Sequence, residues 1–283
     1  MSRPEPDLFL RDDAARPPVP LRVLITRPEF EAQETAELVR SAGGTALLHP
    51  CLRLAPPADP QPLRAALAEL ERFTWVAIAS ANAARRIAPA LLACAVPPLL
   101  AAVGPRTAAC LQEYGLPVAL CASAATAEGL SAELLATWRT RGHDPRAERV
   151  LVPRAAEGRE ALASGLLAAG AEVLVVTAYQ MLPPAPAELR ELGALIRHGA
   201  VDLIPFGSPR TAEITLSALG ADAAALLGRF AIGAIGPTTA AALTARGVRV
   251  DAQSGGQAPS TFAELLRALA ATHRQRPAGQ NYA

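Results

Sequence analysis

The chain has 283 residues, 51% of them hydrophobic and only 4% aromatic, so aliphatic side chains must fill about two domains of roughly 100–200 residues each. A formal net charge of +1 argues against a basic nucleic-acid binder and against an acidic tail. All 27 basic residues are Arg, which removes a Schiff-base lysine, a Walker-A lysine and a pyridoxal anchor together.

Residues 1–20 mix charge and Pro without the apolar core of a secretory signal, and read as a disordered extension. Strands are then expected at Arg22–Thr26, Thr45–His49, Trp75–Ala79, Leu99–Val103, Val118–Cys121, Arg149–Val152, Glu172–Val176, Val201–Ile204, Phe230–Ile235 and Val248–Asp251. Stretches with helical periodicity lie between most of them, such as Leu63, Leu67 and Leu70, or Leu130, Leu134 and Leu135. Residues 272–283 read as a disordered tail. Alternation of strand and helix implies an α/β fold with parallel sheets covered on both faces, and the number of strands implies two doubly wound lobes.

The chain repeats itself. Ala102–Val118 (AVGPRTAACLQEYGLPV) and Ala234–Val250 (AIGPTTAAALTARGVRV) are identical at nine of 17 positions. Arg22–Leu47 and Arg149–Leu174 match at eight of 26. An internal duplication follows. Both segments of the second pair run on to a Pro-Pro step, Pro56–Pro57 and Pro183–Pro184, where Pro ends an extended stretch. The expected organisation is a discontinuous first lobe (21–50 with 185–271), a second lobe (58–176), and two antiparallel linker strands (51–57 and 177–184) joining them.

Ligands of parallel α/β sheets bind beyond the carboxyl ends of the strands. The segments found there are Thr26-Arg27-Pro28, Ser80-Ala81-Asn82, Gly104-Pro105-Arg106-Thr107, Ser208-Pro209-Arg210-Thr211 and Gly236-Pro237-Thr238-Thr239. Arg154 also falls at a strand end. Gly allows close backbone approach, Pro suits a first helical turn, and the N–H groups of that turn favour an anion. Taken singly, each such turn reads first as an ordinary helix cap, and it is their number and matched positions in both halves that point to a ligand. Several facing one cleft would suit a ligand with many carboxylates. Gly-x-Gly-x-x-Gly and Gly-x-Ser-x-Gly are missing after the strands, as are metal-ligand spacing among the four His and C-x-x-C pairing among the four Cys. No long apolar run suggests a membrane span, and the composition reads as a cytoplasmic protein. Binding, positioning and acid–base assistance are left as the means of any catalysis.

VLITRP at the first strand, ASANAA, VGPRTA, VVTAYQ and IGPTTA, in this order, resemble the uroporphyrinogen-III synthases over about Leu21 to Leu269. The resemblance implies two flavodoxin- or Rossmann-like lobes and a cofactor-free lyase that acts on hydroxymethylbilane, a linear tetrapyrrole. Its terminal hydroxyl would leave as water and the ring would close with inversion of the last pyrrole. Tyr179 matches the family's candidate general acid. Thr107 and Thr239 match cleft threonines, and Ser80, Asn82 and Ser208 match cleft turns. Arg27, Gly104, Arg106, Arg154, Arg210, Gly236 and Thr238 complete the expected substrate contacts. Pro205 is expected to interrupt the strand before Ser208, and Gly207 stands where a hydroxyl residue is more usual. No metal, nucleic acid or membrane partner is expected. A monomer is, with transient contact to neighbouring tetrapyrrole enzymes. A catalytically degenerate paralogue that binds tetrapyrroles or small anions is the alternative.

Overall fold

The computed structural model describes residues 10–11, 19–255 and 259–275. Most of the expected extension and the end of the expected tail lie outside these. Within them, β1 (Leu10–Arg11) and β2 (Val19–Pro20) pair antiparallel, Leu10 opposite Pro20. From Arg22 the chain alternates strand and helix: β3 (Arg22–Ile25), α1 (Glu29–Ser41), β4 (Thr45–Leu48), β5 (Arg53–Ala55), α2 (Gln61–Ala68), β6 (Trp75–Ile78), α3 (Ala81–Ala93), β7 (Leu99–Ala102), α4 (Pro105–Glu113) and β8 (Leu120–Cys121). It continues with α5 (Ala127–Thr140), β9 (Arg149–Ala155), α6 (Ala161–Ala168), β10 (Glu172–Leu182), α7 (Pro186–Arg197), β11 (Leu203–Phe206), α8 (Pro209–Leu219), α9 (Ala223–Leu227), β12 (Ala231–Ile235), α10 (Gly236–Ala245), β13 (Ala252–Ser254) and α11 (Pro259–Gln275).

The chain divides into two compact units, one of Ala55–Met181 and one of the residues on either side of it. The flanking unit holds a five-stranded sheet, order β13-β12-β11-β3-β4, with every ladder parallel. Alternate residues of its strands serve opposite faces. Leu24, Ile204, Phe206, Ile232 and Ala234 pack under α7, α8 and α10, while Val23, Ile25, Leu203, Ala231 and Ile235 meet α1 and α11. The central unit holds five neighbouring strands in the order β10-β9-β6-β7-β8. Val76, Ile78, Leu100, Leu151 and Val176 face α2, α3 and α4, and Trp75, Ala77, Ala101, Val150 and Val152 face α5 and α6. With β6, β7 and β8 set against β11, β12 and β13, and β9 and β10 against β3 and β4, the two sheets have the same strand order. The expected α/β architecture with parallel sheets is what the chain adopts.

Several expectations about elements need correction. The strand expected at Val201–Ile204 lies at Leu203–Phe206, and Pro205 is inside it. β11 pairs with β12 through Phe206, but its ladder to β3 stops at Leu203↔Val23, two residues before a proline that has no N–H to carry it on. The β6–β9 ladder likewise stops at Val76↔Leu151, two residues before Pro153. The strand expected at Val248–Asp251 begins only at Ala252; Asp251 just before it is tied to β12 twice, its N–H donating to the Ile232 carbonyl at 2.8 Å and its Oδ2 accepting from the Ile232 N–H at 2.9 Å. Helix α11 runs to Gln275, so its last turn occupies residues expected in the tail. The second Pro-Pro step follows a single strand, β10, that continues unbroken from Glu172 to Leu182.

Candidate functional site

In each sheet the strand order reverses direction at one place. In the central unit it lies between β6 and β9, and in the flanking unit between β11 and β3. A crevice at the carboxyl ends of such strands is where ligands of open α/β sheets bind. Both crevices are bounded by a ladder cut short before a proline, so the strands part there with fewer hydrogen bonds.

In the central unit, Ser80 ends the turn after β6 and caps α3. Its extended backbone (φ −157°, ψ 135°) lets Oγ accept from the Asn82 N–H at 3.1 Å. The same Oγ lies 2.9 Å from the hydroxyl of Tyr179. Tyr179 is only 8% exposed and belongs to the cluster that holds Val176 and Ala178. Strict alternation would send residues 178 and 179 to opposite faces. The β9–β10 register breaks between Thr177 and Tyr179, where Arg154 and Ala155 oppose them, so Ala178 is an extra residue. Such a bulge re-aims the side chain that follows it. Its new position is pinned by the Ala156 N–H, which donates to the Tyr179 carbonyl at 2.8 Å. Arg154, at the end of β9, donates to the Gly158 carbonyl and lies 3.5 Å from Glu160. Asn82 is half-buried, and its amide oxygen accepts from Arg85 at 3.3 Å.

In the flanking unit, Arg27 follows β3. It donates to Glu31 at 2.5 Å and to Thr35 at 3.3 Å, and its guanidinium lies 4.9 Å from the centre of the Phe262 ring. Gly207 follows β11 beside the Arg27 stem, whose Cγ would be in ordinary contact, at 3.5 Å, with a Cβ there. Ser208 caps α8 by accepting from the Thr211 N–H at 3.3 Å, and the Thr211 hydroxyl donates to the Ser208 carbonyl at 2.9 Å. Arg210 is half-buried in the same turn.

The two Gly-Pro-x-Thr turns open α4 and α10, and neither helix has a side-chain cap, unlike α3 and α8. Thr107 and Thr239 are buried at these helix starts, while Arg106 and Thr238 are exposed. The turns look alike in sequence but need glycine for different reasons. Gly104 is extended (φ 174°), and a Cβ on it would stand 2.9 Å from that of Ala125. Gly236 has open space around it but φ 75°, in the left-handed region.

The expected residues thus gather in separate groups. Ser80, Asn82, Arg154 and Tyr179 lie about the central crevice, Arg27 and Ser208 about the flanking one, and the threonine turns follow the next strand over in each sheet. The Nε of both Arg27 and Arg154, and the hydroxyl of Thr26, are buried without a hydrogen-bond partner among the described residues. Two participants were missed in the sequence. Glu31 was legible, since it stands four residues after Arg27 on one helix face. Phe262 was not, because only the packing of α11 brings it to Arg27. Cys51 is buried 3.5 Å from the Thr215 hydroxyl, and burial pushes its thiol up to about 11 against the lowering effect of that contact, so little of the reactive thiolate is present near neutral pH. Among the described residues no group of three His, Cys, Asp or Glu could hold a metal ion, and no helix is long and apolar enough to cross a membrane.

The family model described as uroporphyrinogen-III synthase HemD matches residues 33–262. The uroporphyrinogen-III synthase of Synechococcus elongatus is 31% identical over 239 residues, covering 80% of this chain and 86% of that protein. That of Chlorobaculum parvum is 25% identical over 239 residues, covering 81% and 91%. Among solved structures, a mutant uroporphyrinogen III synthase from Thermus thermophilus matches with a TM-score of 0.56 at 22% identity, covering 88% of this chain and 98% of the other, a likeness of fold.

Proposed function

The chain belongs to the uroporphyrinogen-III synthase family, and from this premise we propose that it is a hydro-lyase that closes hydroxymethylbilane into uroporphyrinogen III. Tyr179 acts as the general acid. The carbon–oxygen bond of the terminal hydroxymethyl group breaks, its electron pair leaves on oxygen, and the phenol proton completes a water molecule. The resulting azafulvene cation is attacked by pyrrole carbon, and the last ring is inverted. The proton finally lost from the substrate restores the phenol. Water leaves and a carbon–carbon bond forms with no net oxidation, so the balance calls for no redox cofactor.

Closure without inversion is the intrinsically easy outcome, so the enzyme's task is orientation. The uncapped starts of α4 and α10 and the guanidinium groups of Arg27 and Arg154 offer N–H donors to substrate carboxylates. Gly104, Arg106 and Thr107 belong to the first of these turns and Gly236, Thr238 and Thr239 to the second, while Asn82 at the start of α3 and Ser208 and Arg210 at the start of α8 add further polar groups at strand ends. The observation that carries this reading is the phenol hydroxyl of Tyr179, turned by a bulge toward a capped helix start at the carboxyl edge of its sheet. A monomer in the cytoplasm, in transient contact with the enzymes before and after it, fits a substrate that cyclises unaided if left in water.

Purified protein supplied with fresh hydroxymethylbilane tests the proposal. The products are oxidised and the porphyrin isomers separated. Type III in excess of the enzyme-free control is expected. Type I alone from folded protein overturns it.

A further inference from the structure

A buried tyrosine that gives up its proton becomes a phenolate, and a phenolate held away from water needs hydrogen-bond donors. We infer that Ser80 is a positioning residue that supplies this donor and links Tyr179 to the N-terminus of α3. The inference rests on the reading of Tyr179 as the acid.

Ser80 Oγ has two contacts, the Asn82 N–H at 3.1 Å and the Tyr179 hydroxyl at 2.9 Å. The first uses a lone pair of Oγ, since an N–H can only donate. Among the described residues no other side chain or backbone group meets either hydroxyl. The Ser80 proton therefore has one protein acceptor, the phenol oxygen. When it is placed there, the Tyr179 proton is left for the substrate.

The arrangement also improves as the reaction proceeds. While Tyr179 is neutral, the contact is an ordinary hydroxyl–hydroxyl hydrogen bond. As the phenol proton moves to the leaving oxygen, the acceptor becomes anionic and the bond becomes charge-assisted, roughly twice as strong. An interaction that strengthens only in the transition state raises kcat rather than binding. Asn82, which donates to Ser80, lies in the first turn of a 13-residue helix, so the positive end of α3 stands behind the serine. Tyr179 has little freedom to leave this partner, because the bulge at Ala178 and the Ala156 N–H fix its backbone.

The test uses the full chain in four forms: wild type, Ser80→Ala, Tyr179→Phe and the double variant. Ser80→Ala is expected to lower kcat about tenfold with little change in KM. Ser80→Thr, which keeps both cap and hydroxyl, is expected to restore most of it. In the Tyr179→Phe background, Ser80→Ala is expected to cost nothing further, because the group it serves is gone. Thermal unfolding checks that Ser80→Ala is folded at the assay temperature. If it is not, Ser80→Gly, which is tolerated at an N-cap and has no hydroxyl to give an anion, takes its place with the same expected loss. An equal loss from Ser80→Ala in both backgrounds, or a rise in KM at constant kcat, overturns the role of Ser80 alone. A wild-type rate in Tyr179→Phe overturns the acid reading as well.

Discussion

The hydroxyl of Ser80 and the phenol oxygen of Tyr179 stand 2.9 Å apart, although 99 residues separate them in the chain. Ser80 is held by its duty as the cap of α3, and Tyr179 by a one-residue bulge in β10. A polar contact between two residues fixed independently is preorganised, and it sets the first expectation below.

Tyr179→Phe should lower the rate of type III formation about 100-fold, the lower range for loss of a positioned acid. It should not abolish it, because orientation by the strand-end turns is retained. Isomer analysis under saturating substrate measures both quantities. A complete loss of type III with the fold intact would contradict a distributed binding mode.

Asp202 is 3% exposed and receives three donors of Arg22, the backbone N–H at 2.8 Å, Nε at 3.1 Å and a terminal nitrogen at 3.1 Å. Asp202→Ala leaves these donors short of an acceptor at the start of the β3–β11 ladder. The Arg22 side chain is 30% exposed, so solvent recovers part of the loss. A destabilisation of about 2 kcal/mol is expected in denaturant titration. Unchanged stability would show that water serves Arg22 equally well.

The repeated glycines should respond differently. Gly104→Ala meets Ala125, and a second change, Ala125→Gly, should recover much of the loss. Gly236→Ala has no neighbour to relieve, and its cost of about 1–2 kcal/mol comes from the backbone. Gly236→Asn should be milder than Gly236→Val, since Asn tolerates the left-handed region. Unfolding midpoints of the single and double variants distinguish the cases, and rescue of Gly236→Ala by a neighbouring deletion would refute the backbone account.

The thiol of Cys51 is raised from 9.0 to about 11 by burial. A folded-state value above the unfolded one means the unfolded chain loses this proton first as pH rises. Stability from this group is therefore whole below pH 9 and is lost progressively toward pH 11, amounting to about 3 kcal/mol at most. Denaturant midpoints measured across this range should fall more steeply for the wild type than for Cys51→Ala. Parallel curves would show that the thiol ionises alike in the folded and the unfolded chain.

Much of the architecture was legible because it rests on local period. β3, β6, β7 and β9 begin at the residues where their strands are expected, and the Gly-Pro turns announce α4 and α10 by residue chemistry alone. Pro205 misled for the opposite reason. Proline disfavours a strand by removing one hydrogen bond, but Leu203, Ile204 and Phe206 around it are wholly buried. Burying each such side chain contributes about 1.5–3 kcal/mol, more than one ladder bond returns.

The chemical nature of the strand-end turns, the lack of lysine and the order of the motifs were properties of the sequence alone, since each depends on residue identity or on neighbours a few positions away. Which of those residues meet was decided by the tertiary structure. Nothing near Tyr179 in the chain foretells the extra residue in β10 that turns it toward Ser80. Nothing near Arg27 foretells Phe262. A bulge is defined only against the partner strand, and a cation over a ring only by the helix that carries the ring. Such relationships exist once the sheets have formed, because only then do residues distant in sequence acquire a fixed distance.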